Sequence, residues 1–293
     1  MVFMDGVLII NKPKSYTSHD IVDIARKVLM TRRIGHIGTL DPNATGVLVL
    51  CVNKATKLVK YFENHSKTYI ATIRLGIQTD TDDITGKVVK ETKIEDLKEE
   101  DVLKELKTFK GKQEQIPPKY SAIKINGRKL YELARRDLTI PPINPRTVEI
   151  YSIDKFKHLK DEPGFTFQIR FKVSKGTYIR SIARDLGERL GVYGTLVELE
   201  RTRINQFTIE EAIDLETFKQ GKYELKDPFK YMDLNKHVIS PEFEHYVRHG
   251  RFIDPDLVPE KKDVILYSES GEPLAIYYYD EQKNQMRMSV KWC

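Results

Sequence analysis

An α+β fold, with one mixed sheet in a large N-terminal part and a small β-rich C-terminal part, is what this sequence predicts. Three observations carry that expectation. Short apolar runs at residues 7–10 and 47–52 are separated by a stretch with Ile21, Ile24, Ala25, Val28 and Leu29 at helical spacing. Strands interleaved with helices in this way suggest a mixed sheet. Phe165, Phe167, Ile169, Phe171 and Val173 recur at every second position, the period of a half-buried strand. From about His237 the composition changes to short β-like runs, 264–267 and 275–279, separated by Asp-Pro and Gly-Glu-Pro turns. The expected organisation is two domains, 1–235 and 236–293, with an insertion at about 113–146.

The elements follow in order. The strand at 7–10 ends at Asn11-Lys12-Pro13-Lys14, and Thr17 or Ser18 can cap the helix after it, since a hydroxyl there accepts from a free backbone N–H. A strand at 68–75 places Tyr69, Ala71, Ile73 and Leu75 on one face. Residues 95–109 are charged on one side and carry Leu97, Leu103, Leu106 and Phe109 on the other, as a surface helix does. Residues 113–145 are basic and rich in Pro and Tyr, and Asn126-Gly127 and Pro141-Pro142 bound a helix from about 128 to 136. The strand at 165–174 leads into a helix with Ile179, Ile182, Ala183, Leu186 and Leu190 inward and Gly191 as its stop.

Composition narrows the class. The chain has 293 residues, 40% hydrophobic and 31% charged, which is ordinary for a soluble globular protein. Its first residues read as a strand and not as a signal peptide. No apolar stretch is long enough to span a bilayer. Cys51 and Cys293 lack metal-ligand spacing, so neither a metal site nor a disulfide framework is expected, and a reducing cytoplasm is the default compartment. The net charge of +6 permits a polyanionic partner. From Lys236 onward 8 basic residues face 10 acidic ones, so the excess lies in the larger part. Within it, residues 119–146 carry seven basic residues against two acidic ones.

The string richest in chemistry is Gly35-His36-Ile37-Gly38-Thr39-Leu40-Asp41-Pro42, followed by Asn43-Ala44-Thr45-Gly46 and an apolar run. An Asp-Pro pair by itself marks a turn, because Asp caps turns and Pro presets φ. The whole string resembles the motif G-H-x-G-T-L-D-P of the TruB family of tRNA pseudouridine synthases. Three further segments resemble the same family in the same order: Lys67-Thr68-Tyr69; Gln115-Ile116-Pro117-Pro118-Lys119-Tyr120-Ser121-Ala122 with Lys124; and Lys175-Gly176-Thr177-Tyr178-Ile179-Arg180-Ser181. The resemblance runs from Gly6 to about Phe207, and the tail is similar to the family's PUA domain. Two positions depart from the pattern: Ser15 stands where the family usually has Gly, and Asn205 follows Arg201-Thr202-Arg203-Ile204 where Gly is common.

The resemblance implies a pseudouridine synthase catalytic domain over 1–235 and a PUA-like RNA-binding domain over 236–293. Asp41 would be the catalytic carboxylate, acting either as a nucleophile or as the base that removes a ribose proton. Arg180 would pair with Asp41 and favour its charged form. Tyr178 is the candidate proton acceptor for C5, although an unperturbed phenol is a poor base at neutral pH. Tyr69 would stack on the flipped base, and His36 would enter the space that base vacates. Lys57 and Leu199 match positions lining the base pocket, and Lys12 is a candidate phosphate contact. Tyr120, Lys124 and Arg135 belong to the basic segment, which would clamp the T stem-loop of tRNA by phosphate contact and stacking. The same residues have blander uses: Tyr is favoured in any strand, and most charge runs are solvated.

The reaction the resemblance implies cleaves N1–C1′ and joins C5 to C1′ of one uridine. Nothing is oxidised or phosphorylated, so no cofactor is expected. Three functions remain open from the sequence: a stand-alone enzyme acting on uridine 55 of the TΨC loop, a guide-RNA-dependent relative, or a non-catalytic tRNA-binding and folding module. The first implies a monomer without an obligate protein partner.

Overall fold

The structure is a computed structural model that describes residues 5–62, 66–121, 123–125, 127–135, 141–258 and 260–293; the side chains of Lys124, Ile125, Lys129, Tyr131 and Arg135 lie outside that description. Its centre is a sheet whose strands run in the order Ile213–Asp214, Gly6–Lys12, Thr45–Val52, Gly194–Ile204, Lys67–Leu75, Phe165–Val173, Arg146–His158 and Gly111–Gln115. The sheet is mixed, as expected. Gly194–Ile204 is parallel to Thr45–Val52 on one side and antiparallel to Lys67–Leu75 on the other.

Register follows from the alternation. Tyr69, Ala71, Ile73 and Leu75 pair with Phe171, Ile169, Phe167 and Phe165, so each apolar residue meets another on the same buried face. A one-residue slip of either strand would turn its apolar set to the opposite face. Helix Ile179–Arg189 lays Ile179, Ile182, Ala183 and Leu186 on this core, and helix Ser18–Val28 adds Ile21, Val22 and Ala25. Thr17 is the cap of the latter: its hydroxyl accepts from the Asp20 N–H at 3.0 Å, and Asp20 answers from the Thr17 N–H at 2.7 Å, a reciprocal capping box.

Some expectations need correcting. The surface helix spans Glu99–Thr108, starting later than the apolar pattern suggested. Its first turn holds Glu99, Glu100 and Asp101, where acids favour the positive end of the helix dipole. The helix foreseen over 128–136 begins at Leu130, because Lys124–Ile125 and Arg128–Lys129 form a small hairpin around Gly127 at φ +80°. Arg136 lies outside the described residues. The strand Gly194–Ile204 escaped the pattern altogether. It carries Glu198, Glu200, Arg201 and Arg203, and register shifts fall at Leu196/Glu198 and Arg201/Arg203, so its faces do not alternate evenly.

A second sheet orders Asn235–Val238, Val264–Tyr267, Pro273–Asp280 and Gln285–Lys291. Ile265, Ile276 and Val290 from it share a core with Val7, Ile9, Val47 and Val49 of the main sheet. Lys54 Nζ donates to the Trp292 carbonyl at 2.8 Å, and the Tyr61 hydroxyl donates to Ser289 Oγ at 2.6 Å. Among the described residues no helix is long and apolar enough to cross a membrane.

Candidate active site

The loop carrying Asp41 joins two antiparallel strands, Ile34–Ile37 and Thr45–Val52, and is shaped from three sides. Arg201, wholly buried, donates from Nε to the Val47 carbonyl at 2.8 Å and from Nη2 to the Gly38 carbonyl at 2.7 Å. Ser18 brackets Leu40, accepting from its N–H at 2.9 Å and donating to its carbonyl at 3.2 Å. Lys12 Nζ donates to the carbonyls of Pro13, Tyr16 and Pro42 at 2.9, 2.7 and 3.2 Å. Gly46, at φ +99°, completes the fit: a Cβ there would lie 2.3 Å from the Arg201 carbonyl oxygen. The backbone approaches that closely only where no Cβ intervenes.

Asp41 projects from this loop into a cleft that Tyr69, Tyr178, Arg180 and Leu199 also line. The Asp41 carboxylate is 45% exposed, whereas the Arg180 side chain is 5% exposed, and Arg180 Nη2 stands 2.9 Å from Asp41 Oδ2. Arg180 is held from behind by the Tyr120 carbonyl at 3.0 Å, the Thr81 carbonyl at 3.2 Å and Asp83 Oδ2 at 3.8 Å. Its fork is therefore held in place as it meets Asp41. Tyr178 is fixed through its backbone: its N–H donates to Gln115 Oε1 at 2.8 Å, and Gln115 Nε2 donates back to its carbonyl at 3.1 Å. Burial pushes the Tyr178 phenol above its ordinary pKa, because a desolvated phenolate is disfavoured.

Five anticipated residues thus meet in or behind one cleft: Asp41, Tyr69, Tyr178, Arg180 and Leu199. Others do not. Lys12 is corrected from a phosphate contact to an internal strut, since it is 0% exposed and its ammonium is occupied by three carbonyls. Lys57 lies away from the cleft, donating to the Lys291 carbonyl at 3.3 Å. A short 3₁₀ helix, Asn53–Leu58, carries it toward the C-terminal sheet. His36 sits on the strand before the loop with Nε2 3.3 Å from Thr39 Oγ1. Tyr120 contributes its backbone carbonyl to Arg180. The side chains of Lys124 and Arg135 are outside the described residues.

Two residues were not singled out from the sequence. Lys67 lines the cleft beside Tyr69, and its presence in the Lys67-Thr68-Tyr69 motif was the available signal. Arg201 was visible only as the first residue of Arg201-Thr202-Arg203, with no hint that it would be buried opposite Tyr69 in the register. Both departures noted above adopt left-handed backbone, Ser15 at φ +72° and Asn205 at φ +54°. Asn visits that region with little cost.

Lys12 gives a pH prediction. Burial, partly offset by the nearby Asp41 charge, lowers its pKa to about 8. Between about 8 and its unfolded value the unfolded chain binds more protons than the folded one, so this group's contribution to stability rises with pH over that window. The unfolding free energy of the wild type relative to Lys12→Met should therefore shift in favour of the wild type between pH 7 and about 9.5. Denaturant melts at both pH values measure it, and a shift of the opposite sign would refute the assignment.

Arg180 thus holds the Asp41 carboxylate at a cleft lined by two tyrosines, and the comparisons with known proteins place this chain among RNA-modifying isomerases. Residues 26–179 match the TruB family pseudouridylate synthase N-terminal domain, and residues 180–242 match the tRNA pseudouridylate synthase B C-terminal domain. The tRNA pseudouridine synthase B of Bacillus subtilis (strain 168) is 39% identical over 302 residues, covering 98% of this chain and 97% of that protein. That of Thermosipho melanesiensis is 41% identical over 285 residues, covering 93% and 90%. The structure is similar to a chain in the crystal structure of a Cbf5-Nop10-Gar1 complex, with a TM-score of 0.70 and 25% identity over 98% of this chain and 84% of that one. The chain belongs to the TruB family of pseudouridylate synthases.

Proposed function

We propose that this chain converts uridine to pseudouridine at position 55 in the TΨC loop of tRNA, acting as a monomer in the cytoplasm without an obligate protein partner. The observation that carries the reading is the 2.9 Å pair of Arg180 and Asp41 at a cleft lined by Tyr69. The relatives named tRNA pseudouridine synthase B, matched nearly end to end, support tRNA as the substrate.

The target uridine leaves its stack and its base enters the cleft, where the Tyr69 ring offers a stacking face worth about 1–3 kcal/mol. Asp41, charge-paired and oriented by Arg180, attacks as a nucleophile or removes a ribose proton, and the N1–C1′ bond breaks. The base turns within the cleft and C5 bonds to C1′; in the first route the bond to Asp41 breaks as this one forms, and in the second the carboxyl returns the proton to the ribose. The C5 proton is then taken up and passes to solvent while N1 gains one, so the reaction is an isomerisation in which protons balance and the C5 hydrogen is released. Tyr178 is the proton acceptor in this scheme. Burial raises its pKa, so little phenolate is present at rest and the phenol must give up its own proton before it can accept the acidified one from C5. Tyr178→Phe should slow turnover by about 10²–10⁴-fold, read in single-turnover assays; an unchanged rate would leave the phenol a packing role only.

We assign the C-terminal sheet, over 236–293, as a PUA-like RNA-binding unit and the basic segment over 113–146 as the clamp on the T stem-loop. Mass-resolved mapping of uridines in an unmodified tRNA transcript, incubated with the purified chain alone, tests the reading. Conversion at position 55 is expected. Conversion only when guide RNA and accessory proteins are added would transfer the chain to the guide-dependent type.

A further inference from the structure

One turn below Arg180 on the same helix, Arg184 makes a second bracket on the same two segments that Arg180 grips. Arg180 takes the Tyr120 carbonyl from the root of the basic insertion, and Thr81 and Asp83 from the loop after the Ile77–Thr79 strand. Arg184 takes the Ile116 carbonyl from the first segment at 2.9 Å, and Asp82 Oδ2 from the second at 3.0 Å. Its remaining N–H groups reach Asp185 Oδ1, Nε at 2.9 Å and Nη2 at 2.7 Å. The Arg184 side chain is 14% exposed and that of Asp82 10%, so this is a largely desolvated pair and not a surface contact. Ser181 Oγ joins it by donating to the same Ile116 carbonyl at 2.9 Å.

The position of Asp82 shows that the bracket constrains the loop. Asp82 has φ +60°, a left-handed conformation that Asp adopts more readily than most non-glycine residues, and its backbone is tied down on both sides. Its carbonyl accepts from the Leu196 N–H at 3.1 Å, while the Ile84 N–H donates to the Leu196 carbonyl at 2.8 Å. The loop is thereby pinned to the sheet on one side and to Arg184 on the other. Burial raises the Asp82 pKa despite the facing guanidinium, consistent with a pair that costs desolvation and is retained for geometry.

We propose that Arg184 is a positioning residue for catalysis: with Asp82 it fixes the two segments between which Arg180 must pass to reach Asp41. It touches neither Asp41 nor the cleft. Without it, the Thr81 and Tyr120 carbonyls and the Asp83 carboxylate lose their common frame, and the Arg180 fork loses its fixed aim at Asp41. Because one of the segments is the root of the basic insertion, the same residue connects the part assigned to docking RNA with the catalytic pair. This inference rests on the function proposed above.

The test uses the full chain and an unmodified tRNA transcript that the wild type converts. Arg184→Met alone would strand the Asp82 carboxyl in a buried site, so the informative variant is Asp82→Asn with Arg184→Met, in which both charges go together and Asn can keep the left-handed backbone. The single-turnover rate at saturating tRNA should fall by about tenfold to a hundredfold, with the tRNA Kd close to wild type and the assay run well below the melting temperature. Arg184→Lys, which can meet Asp82 but not Ile116 as well, should fall between. A saturating rate within about threefold of wild type in the double variant, whatever happens to Tm or Kd, overturns the proposal. Should the double variant fail to fold, Arg184→Lys is judged by the same limit. A wild type that converts no uridine in tRNA would instead overturn the proposed function.

Discussion

Asp41→Asn abolishes pseudouridine formation and leaves both the fold and the tRNA Kd near wild type. The substitution is nearly isosteric, and the loop around it is shaped by Ser18, Lys12 and Arg201 through backbone carbonyls, none of which needs the carboxylate. The Asp41 side chain is almost half exposed, and Arg180 keeps Asp83, Thr81 and Tyr120 as partners. Loss of one half-exposed ion pair therefore costs no more than about 1 kcal/mol of stability. An amide, however, is neither a nucleophile nor a base at neutral pH, so both routes open to Asp41 close together. Tritium release from 5-tritiated uridine in tRNA, beside a binding isotherm and a thermal melt, separates these effects. Turnover retained in the variant would remove Asp41 from the chemistry.

Arg180→Lys is the second large effect: activity falls by about 10²–10³-fold although the charge is kept. The guanidinium meets a carboxylate at 2.9 Å, two carbonyls at 3.0 and 3.2 Å, and a second carboxylate at 3.8 Å. A single ammonium on a shorter reach cannot serve those four directions, and each buried acceptor it abandons costs about 1–3 kcal/mol. Stability should fall by a comparable amount, so the decisive number is the saturating rate measured well below the melting temperature. Near-wild-type turnover would reduce Arg180 to an arginine in the first turn of a helix.

Much of this was legible in the chain because it is written in short range. The strand with Tyr69, Ala71, Ile73 and Leu75 and the strand from Phe165 to Val173 announce themselves by period, and they pair with one another face to face. The segments carrying Asp41 and Arg180 could each be recognised, and the structure brings them together. Arg201 could not be found this way. Its partners are carbonyls at residues 38 and 47, which every sequence has, so no side-chain code marks the encounter. Lys12 misled for the converse reason: a lysine in a loop looks like a phosphate contact until three carbonyls converge on it. The strand Gly194–Ile204 was hidden because its two register shifts break the alternation by which strands are read.

The apolar layer in which Ile265, Ile276 and Val290 interleave with Val7, Ile9, Val47 and Val49 has a mechanical consequence. A tail added through a loose tether could be cut away, or could swing to suit its ligand. Here removal would strip oily surface from the far side of the very strands that frame the Asp41 hairpin. If the C-terminal sheet binds RNA as proposed above, an RNA spanning both sheets would meet a gauge of set length, its two footholds spaced by the protein in advance.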